Sequence, residues 1–214
     1  LKSFDADADG QRFELAFEGN LTGQLNSTNV LFTAPTVEGT AGKDVITGTA
    51  LSEVIYGLAG NDRIDGGRGS DVIIGGAGAD QLSGGDDPNL SVYGRNGIND
   101  ADVFRYTAAT DSYRTDSQSF VDLIVRFANN NDKIDVSALG YTGFGDGTGT
   151  TLKVVYNHDL DRTYLKDVEA DAQGHRFEIG LTGDWTQDLG TTDMIFAQAE
   201  EVTLVGMASE VTAS

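Results

Sequence analysis

The chain has 214 residues, enough for one long domain or two small ones, and carries 34 Asp and Glu against 14 Lys and Arg. Its formal charge of −20 argues against nucleic acid and anionic membranes as partners of the bare chain. With no cysteine there is neither a disulfide nor a thiolate metal site, and no apolar run is long enough to cross a bilayer as a helix.

Residues 1–32 alternate polar and apolar positions around a turn: Phe4, then Asp9-Gly10, then Phe13, Leu15 and Phe17, the pattern of a β-hairpin. The run Asp5 to Gly10 resembles the start of an EF-hand loop, but its twelfth position is Ala16 where a bidentate Glu is needed. A surface turn is the better reading. The same stretch is also half of a long repeat. Leu1-Lys-Ser-Phe-Asp-Ala-Asp-Ala-Asp-Gly-Gln-Arg-Phe-Glu14 returns without gaps as Leu165-Lys-Asp-Val-Glu-Ala-Asp-Ala-Gln-Gly-His-Arg-Phe-Glu178, and the match continues to Phe32 and Phe196. The chain therefore reads as the tail of one unit (1–34) and then a complete second unit, with Thr33 to Glu38 as the joint. The N-terminus shows no signal-peptide pattern.

From Gly39 to Gly85 one nine-residue pattern recurs: starts at Gly39, Gly48, Gly57, Gly66, Gly75 and Gly84 hold Asp44, Glu53, Asp62, Asp71 and Asp80 at the sixth position. Ile46, Ile55, Ile64, Ile73 and Leu82 hold the eighth. This is the GGxGxDxUx nonapeptide, in which each repeat is a glycine turn leading into a short strand. The aliphatic residue faces inward and stacks on its copies, because one repeat cannot bury it alone. Successive strands fall on opposite sides of a flattened coil, so one coil takes two repeats. Asp44, Asp62 and Asp80 then share one edge, and Glu53 and Asp71 the other. Stacked carboxylates repel unless a cation lies among them. Carboxylates with backbone carbonyls from Gly39, Gly42, Gly57, Gly60, Gly66, Gly69, Gly75 and Gly78 suit the six to eight oxygens of calcium better than the strict octahedron of magnesium. The repeat at Gly48 is degenerate, with Leu51 for glycine and Glu53 for aspartate, and its edge holds a weaker site or none. The repeat region spans 35–90.

The nine-residue phase slips at Asp86-Asp87-Pro88. Residues 91–197 read as a β extension, with strands at Asn99 to Phe104, Phe120 to Phe127 and Asp132 to Leu139, where Ser137 to Leu139 forms a helical turn. A meander comes next, through Leu152 to Tyr156, Arg162 to Leu165, Arg176 to Leu181 and Met194 to Phe196. Asp102, Asp122, Asp132 and Asp135 either add calcium sites or mark turns. His158 and His175 match no zinc spacing and read as surface strand residues. Residues 198–214 form a mobile, acidic tail.

The nonapeptides identify the chain as a member of the RTX class, which includes toxins, proteases, lipases and epimerases. The segment Asp100 to Leu139 resembles the stretch C-terminal to the repeats in serralysin-type proteases and alginate epimerases. Gly140 to Leu152, Asp161 to Asp167 and Asp171 to Ile179 narrow this: nearly the whole chain resembles the R-module of secreted bacterial mannuronan C-5 epimerases. That resemblance implies an all-β fold, a parallel β-roll capped and extended by antiparallel strands, loaded with several Ca²⁺ ions. It also implies a tandem array behind a catalytic A-module that this sequence lacks.

Three functions are expected in turn. The first is a non-catalytic module that modulates alginate binding and activity of the A-module, with Arg63, Arg68, Arg95, Arg126, Lys133 and Lys153, and Arg105 beside them, as candidate contacts to the polyanion. The second is a calcium-driven folding and type I secretion device, with Ala197 to Ser214 as candidate export signal; a serralysin-like protease or lipase parent is the alternative family. The third is catalysis by this segment itself, which no Ser/His/Asp or zinc constellation supports.

Overall fold

In a computed structural model the described residues are 34–85, 100–127 and 131–198. The expected hairpin at 1–32, the phase slip at Asp86 to Pro88, Arg95 and the tail from 199 lie outside them. Six short strands carry the nonapeptides: β1 (Thr36–Glu38), β2 (Val45–Thr47), β3 (Val54–Tyr56), β4 (Arg63–Asp65), β5 (Val72–Ile74) and β6 (Gln81–Ser83). Each of β1 to β4 pairs in parallel with the strand two repeats on, eighteen residues away: Thr36 with Val54, Val45 with Arg63, Val54 with Val72, Arg63 with Gln81. The flattened two-repeat coil is thus what forms. Three-residue strands leave little room for anything but the inward aliphatic and two flanking outward side chains.

The coil does not stop where the nonapeptides stop. Strands β7 (Val103–Arg105), β10 (Asp122–Ile124) and β11 (Lys133–Asp135) continue it. β7 joins β5 by pairing Val72 with Val103, and β6 joins β10 by pairing Gln81 with Leu123. The core ladder therefore runs Ile55, Ile73, Phe104, Ile134 and Met194 in one sheet, facing Ile64, Leu82, Ile124 and Leu181 in the other, all buried. Full burial of each such side chain contributes about 1.5–3 kcal/mol. Ile46, at the first coil, is only half-buried and Val45 is 74% exposed, which marks the open end of the stack.

The antiparallel extension is β13 (Thr151–Asn157), β14 (Arg162–Lys166) and β15 (Arg176–Thr182), with β12 (Gly143–Phe144) beyond β13 and a small pair, β8 (Tyr113–Arg114) and β9 (Ser119–Phe120), beside β15. Asn157 sets the β13–β14 turn by accepting N–H bonds from Asp159 (3.0 Å) and Leu160 (3.1 Å). β15 pairs in parallel with β10, which fuses the meander to the roll as one sheet. A last short strand, β16 (Met194–Ile195), completes the first sheet, whose order is β1-β3-β5-β7-β11-β16; the second runs β12-β13-β14-β15-β10-β6-β4-β2.

Three expectations change in detail. Met194 to Phe196 is not the last leg of the meander: β16 crosses to the first sheet and pairs in parallel with β11, where Met194 extends the ladder. Phe120 to Phe127 is divided between β9 and β10, because Asp122 must turn inward at the edge. His158 sits in the β13–β14 turn and His175 just before β15, not in strands. The helical turn at Ser137–Leu139 forms as expected, closed by Gly140 in the left-handed region.

Candidate metal centre

The two edges of the roll carry two rows of carboxylates. On the first edge, Asp62 Oδ1 accepts the Asp44 N–H, Asp80 Oδ1 that of Asp62, and Asp122 Oδ1 that of Asp80, each at 2.8 Å. On the second, Asp71 accepts from Glu53 and Asp102 from Asp71, each at 2.8 Å, and Asp132 from Asp102 at 3.2 Å. Each carboxylate thus spends one oxygen on the coil beneath it. The rows predicted from the nonapeptides are present, and Asp102, Asp122 and Asp132 extend them at separations of 31, 42 and 30 residues. Asp135 does not join them: it pairs with Arg105 (2.8 Å) and with Ser137, and those bonds outweigh its burial and hold its carboxyl below the usual range.

The second oxygen is where the chemistry lies. The Oδ2 atoms of Asp62 and Asp80 are buried and meet no hydrogen-bond donor among the described residues, whereas the carboxylate of Asp122, also buried, has the Tyr106 hydroxyl as its partner. A bare buried carboxylate oxygen is costly unless a cation satisfies it. Burial, and after it the neighbouring acids, pushes Asp62 up, Asp80 up to about 7 and Asp122 well above the ordinary carboxylate range. The first-position glycines complete the fit. A Cβ on Gly57 would lie 2.8 Å from Asp62 Oδ2, and one on Gly39 would lie 2.9 Å from Asp44 Oδ2 and 2.6 Å from the Gly57 carbonyl oxygen. The polar atoms that line the cradle are carbonyl and carboxylate oxygens, and a methyl group would fill it. This donor set suits a hard cation, calcium before any transition metal.

The fit divides the rows. Where the second residue of a repeat is threonine, the carboxylate is satisfied from within: Asp44 Oδ2 accepts the Thr40 N–H (2.7 Å) and hydroxyl (2.9 Å), and Glu53 accepts both groups of Thr49. Where that residue is Leu58 or Gly76, no hydroxyl is present and the oxygens of Asp62 and Asp80 stay bare. The degenerate repeat at Gly48 therefore supplies a self-satisfied Glu53, not a bare one. Among the described residues no three Asp, Glu or His side chains converge on one point. The cradles instead combine one or two carboxylates with backbone carbonyls.

Gly60, Gly69 and Gly78, at fourth positions, have φ of +134°, +103° and +150°, a region closed to most side chains. Leu51 occupies the corresponding position of the second repeat outside that region, which is how the leucine is tolerated.

The basic candidates do not gather in one place. Arg63, Lys153 and Arg126, whose guanidinium meets Asp65 at 2.8 Å, lie with the second sheet. Lys133 and Arg105 belong to the first sheet, and Arg68 to a turn. Alternation along β13 and β14 adds residues that the sequence did not single out. Lys153 sits directly opposite Lys166, and Arg162 and Tyr164 point to the same outer face. Tyr164 is only 8% exposed because β15 carries Gly180 beneath it; a Cβ there would lie 3.3 Å from the ring. The signal was available in the alternation of Arg162-Thr-Tyr-Leu-Lys166, but which face turns outward is decided by pairing with β15. No described helix is long and apolar enough to cross a membrane.

The RTX calcium-binding nonapeptide repeat (4 copies) matches residues 47–82 and 56–90. The chain is 47% identical over 199 residues to Mannuronan C5-epimerase AlgE5 of Azotobacter vinelandii, covering 92% of this chain and 19% of that protein. It is 46% identical over 196 residues to Alginate lyase 7 of the same organism, covering 92% and 22%. The solution structure of the AlgE6R2 subunit of the Azotobacter vinelandii mannuronan C5-epimerase superposes with a TM-score of 0.61 at 40% identity, covering 77% of this chain and 93% of that one. The chain thus spans about a fifth of the length of the enzymes it matches and nearly all of the solved subunit.

Proposed function

This chain belongs to the R-modules of the mannuronan C5-epimerases and carries calcium-binding RTX repeats, and from that premise we propose that it is a non-catalytic module that folds on calcium and holds alginate for a catalytic A-module. The observation that carries the reading is the pair of buried, donorless carboxylate oxygens of Asp62 and Asp80, each in a glycine cradle, at Gly57 and Gly75. Calcium bound there supplies the positive charge that lets the rows stack. Asp71, Asp102 and Asp132 act likewise on the second edge, with carbonyl oxygens of the glycine turns completing each shell. Without the ion the rows repel and leave bare oxygens buried, so folding free energy and binding free energy become one quantity.

The alginate contact is the outer face of the second sheet. Lys153, Arg162 and Lys166 project there around Tyr164, with Arg63 four strands away on β4, whereas the acids of that face, Asp65 and Glu178, are paired with Arg126 and Arg114. A polyuronate meets a flat strip of cations that form no ion pair among the described residues, while the calcium rows neutralise much of the chain's negative charge. That relatives named for two different reactions both contain a segment similar to this chain supports a role apart from the chemistry itself. Calorimetric titration of mannuronate oligomers into the calcium-saturated chain tests this. Binding weakened by salt and by K153E/K166E is expected. An affinity untouched by either change rejects the face, and the chain alone should show no turnover of polymannuronate.

The same rows favour a second role in export. A chain kept open at low calcium and folded outside suits type I secretion, with 198–214 as the signal, in this or another RTX exoprotein such as a serralysin-like protease or lipase. Residues 1–34 are then the tail of a preceding module, 35–90 the roll, and neighbouring R-modules the partners. EDTA should abolish most of the β signal in circular dichroism; an unchanged spectrum refutes calcium-driven folding.

A further inference from the structure

The turns of the first edge also form one wall of an open cleft. Two of them, at Asn61 and Gly78, face Thr110 and the β8–β9 residues Tyr113 and Phe120 across about 360 Å³, the small end of the range for ligand clefts. The coil holds this wall in place, since the Ala77 N–H donates to Leu58 O at 2.8 Å and the Gly60 N–H to Ala77 O at 2.9 Å. The opposite wall is aromatic. Tyr113 and Phe120 are cross-strand partners whose rings stack at 5.0 Å between centroids, and the His175 ring backs Tyr113 at 4.3 Å. Both rings are half-buried, yet neither belongs to the hydrophobic core. Calcium rows are built from carboxylates and carbonyls, so the aromatic wall has no part in them.

Polar groups at the rim are unspent. Asn61 Oδ1 accepts the Ala79 N–H at 3.2 Å, which leaves its amide nitrogen without a partner among the described residues, and the Thr110 hydroxyl has none there either. Lys43 holds the place of Asn61 one coil away, because Val45 pairs with Arg63 and neighbouring strands lie about 4.8 Å apart. It forms no ion pair among the described residues, and Asp44 beside it is bonded to Thr40. The acids on the segments around the aromatic wall are engaged: Asp116 with Arg176 at 2.8 Å, Asp171 with His175 at 3.1 Å, and Asp111 with the N–H groups of Thr107 and Ala108.

We propose that this cleft is a second saccharide site, which takes one hexuronate ring of a polyuronate against Phe120 with its carboxylate toward Lys43. The alginate reading above supplies the polymer but not the place. Tyr113 pairs with Phe177, whose ring turns to the core, so the cleft lies on the other side of the sheet from Lys153 and Lys166. The C–H face of a pyranose presents partly positive hydrogens to the negative face of an aromatic ring. Its hydroxyls match a free amide and a free hydroxyl. One carboxylate balances one lysine, whereas a neutral sugar would leave Lys43 idle. The turns of the first wall carry Asp62 and Asp80, so calcium loading shapes the cleft.

Heteronuclear NMR of the calcium-saturated full chain, titrated with a mannuronate trisaccharide, reads both saccharide sites at once. The ring signals of Tyr113 and Phe120 and the side-chain amide of Asn61 are expected to shift together. F120L keeps an apolar side chain and removes the ring; it is expected to weaken binding at the cleft about three- to tenfold. K43Q is expected to weaken it about two- to fivefold and to remove most of its salt dependence, and K153E/K166E should leave the cleft signals moving as before. Cleft signals that stay still at millimolar trisaccharide while those of Lys153 and Lys166 move overturn the cleft and leave the outer face standing. Cleft signals that move while the outer face stays still uphold the cleft and reject the face, and no shift at either place rejects both. A neutral mannose trisaccharide that shifts the cleft signals equally overturns the assignment to a uronate.

Discussion

Adding one methyl group at Gly57 should cost this protein a calcium ion. Gly57 has no left-handed backbone requirement, so alanine there tests space alone. Its Cβ would lie 2.8 Å from Asp62 Oδ2 and 3.0 Å from Ile64 Cδ1, where ordinary contact begins near 3.4 Å, and it would also meet the Gly75 carbonyl. None of these neighbours yields easily: Ile64 is 1% exposed, Asp62 is tied to the Asp44 N–H, and the Gly57 N–H donates to Ile74 O at 2.9 Å. Overpacking of this kind costs about 1–3 kcal/mol, or about 2–4 °C of thermal midpoint per kcal/mol for a domain of this size. Displacing Asp62 Oδ2 from its cradle should weaken calcium at that site about tenfold, roughly 1.4 kcal/mol of binding. Calcium titration monitored by circular dichroism and by calorimetry reads both effects. Gly143→Ala is the control, since a Cβ there meets nothing within 4 Å and should change stability by less than about 0.5 kcal/mol. If G57A keeps the wild-type calcium count, affinity and thermal midpoint, the cradle is not where the ion sits.

Leu58 holds φ +76° where later repeats have Gly67 and Gly76, and its side chain is 46% exposed. Leu58→Gly should stabilise the loaded roll by about 0.5–1 kcal/mol, the relief of left-handed strain less the extra entropy of glycine; a lower thermal midpoint contradicts this. Thr49→Gly combined with Glu53→Asp removes the hydroxyl donor, leaves the backbone N–H, and should raise the calcium count by one in equilibrium dialysis; an unchanged count shows that hydroxyl satisfaction does not exclude the ion. The pH dependence has opposite signs with and without calcium. Asp80 is pushed up to about 7 in the cation-free roll, so that roll takes up a proton that the unfolded chain does not between about pH 7 and pH 4. Its stability therefore rises as pH falls through that window, by about 2–4 kcal/mol after allowance for residual solvent. Calcium must displace the same proton, so its apparent affinity should fall below pH 7 by up to about tenfold per pH unit; titrations at pH 8, 7, 6 and 5 that agree with one another count against the assignment.

The coil is legible in the amino-acid order alone. Nine-residue spacing of glycine, aspartate and aliphatic residues leaves one arrangement in which every Ile is covered and every glycine turns, and the eighteen-residue pairing of Val54 with Val72 is that arithmetic realised. Calcium comes from the same repeat, because stacked carboxylates need a hard cation. The threonine-satisfied acids were equally present in the sequence, in Thr40 four residues before Asp44 and Thr49 four before Glu53, but whether a hydroxyl reaches a carboxylate depends on turn geometry. Where the rows continue is settled only by long-range packing. Asp122 succeeds Asp80 on the edge because 120–124 leaves the β8–β9 pair and falls back onto β6, a pairing with no local signature. Packing also sets which basic residues share a face, since Lys133 and Lys153 look alike in sequence and belong to different sheets once the strands pair. Local periodicity fixes what repeats at a constant spacing. Contacts across variable insertions are fixed only by which hydrophobic face each strand must bury, and Met194, carried across to the first sheet to cover Ile134, is where that requirement overrode the expectation of a simple meander.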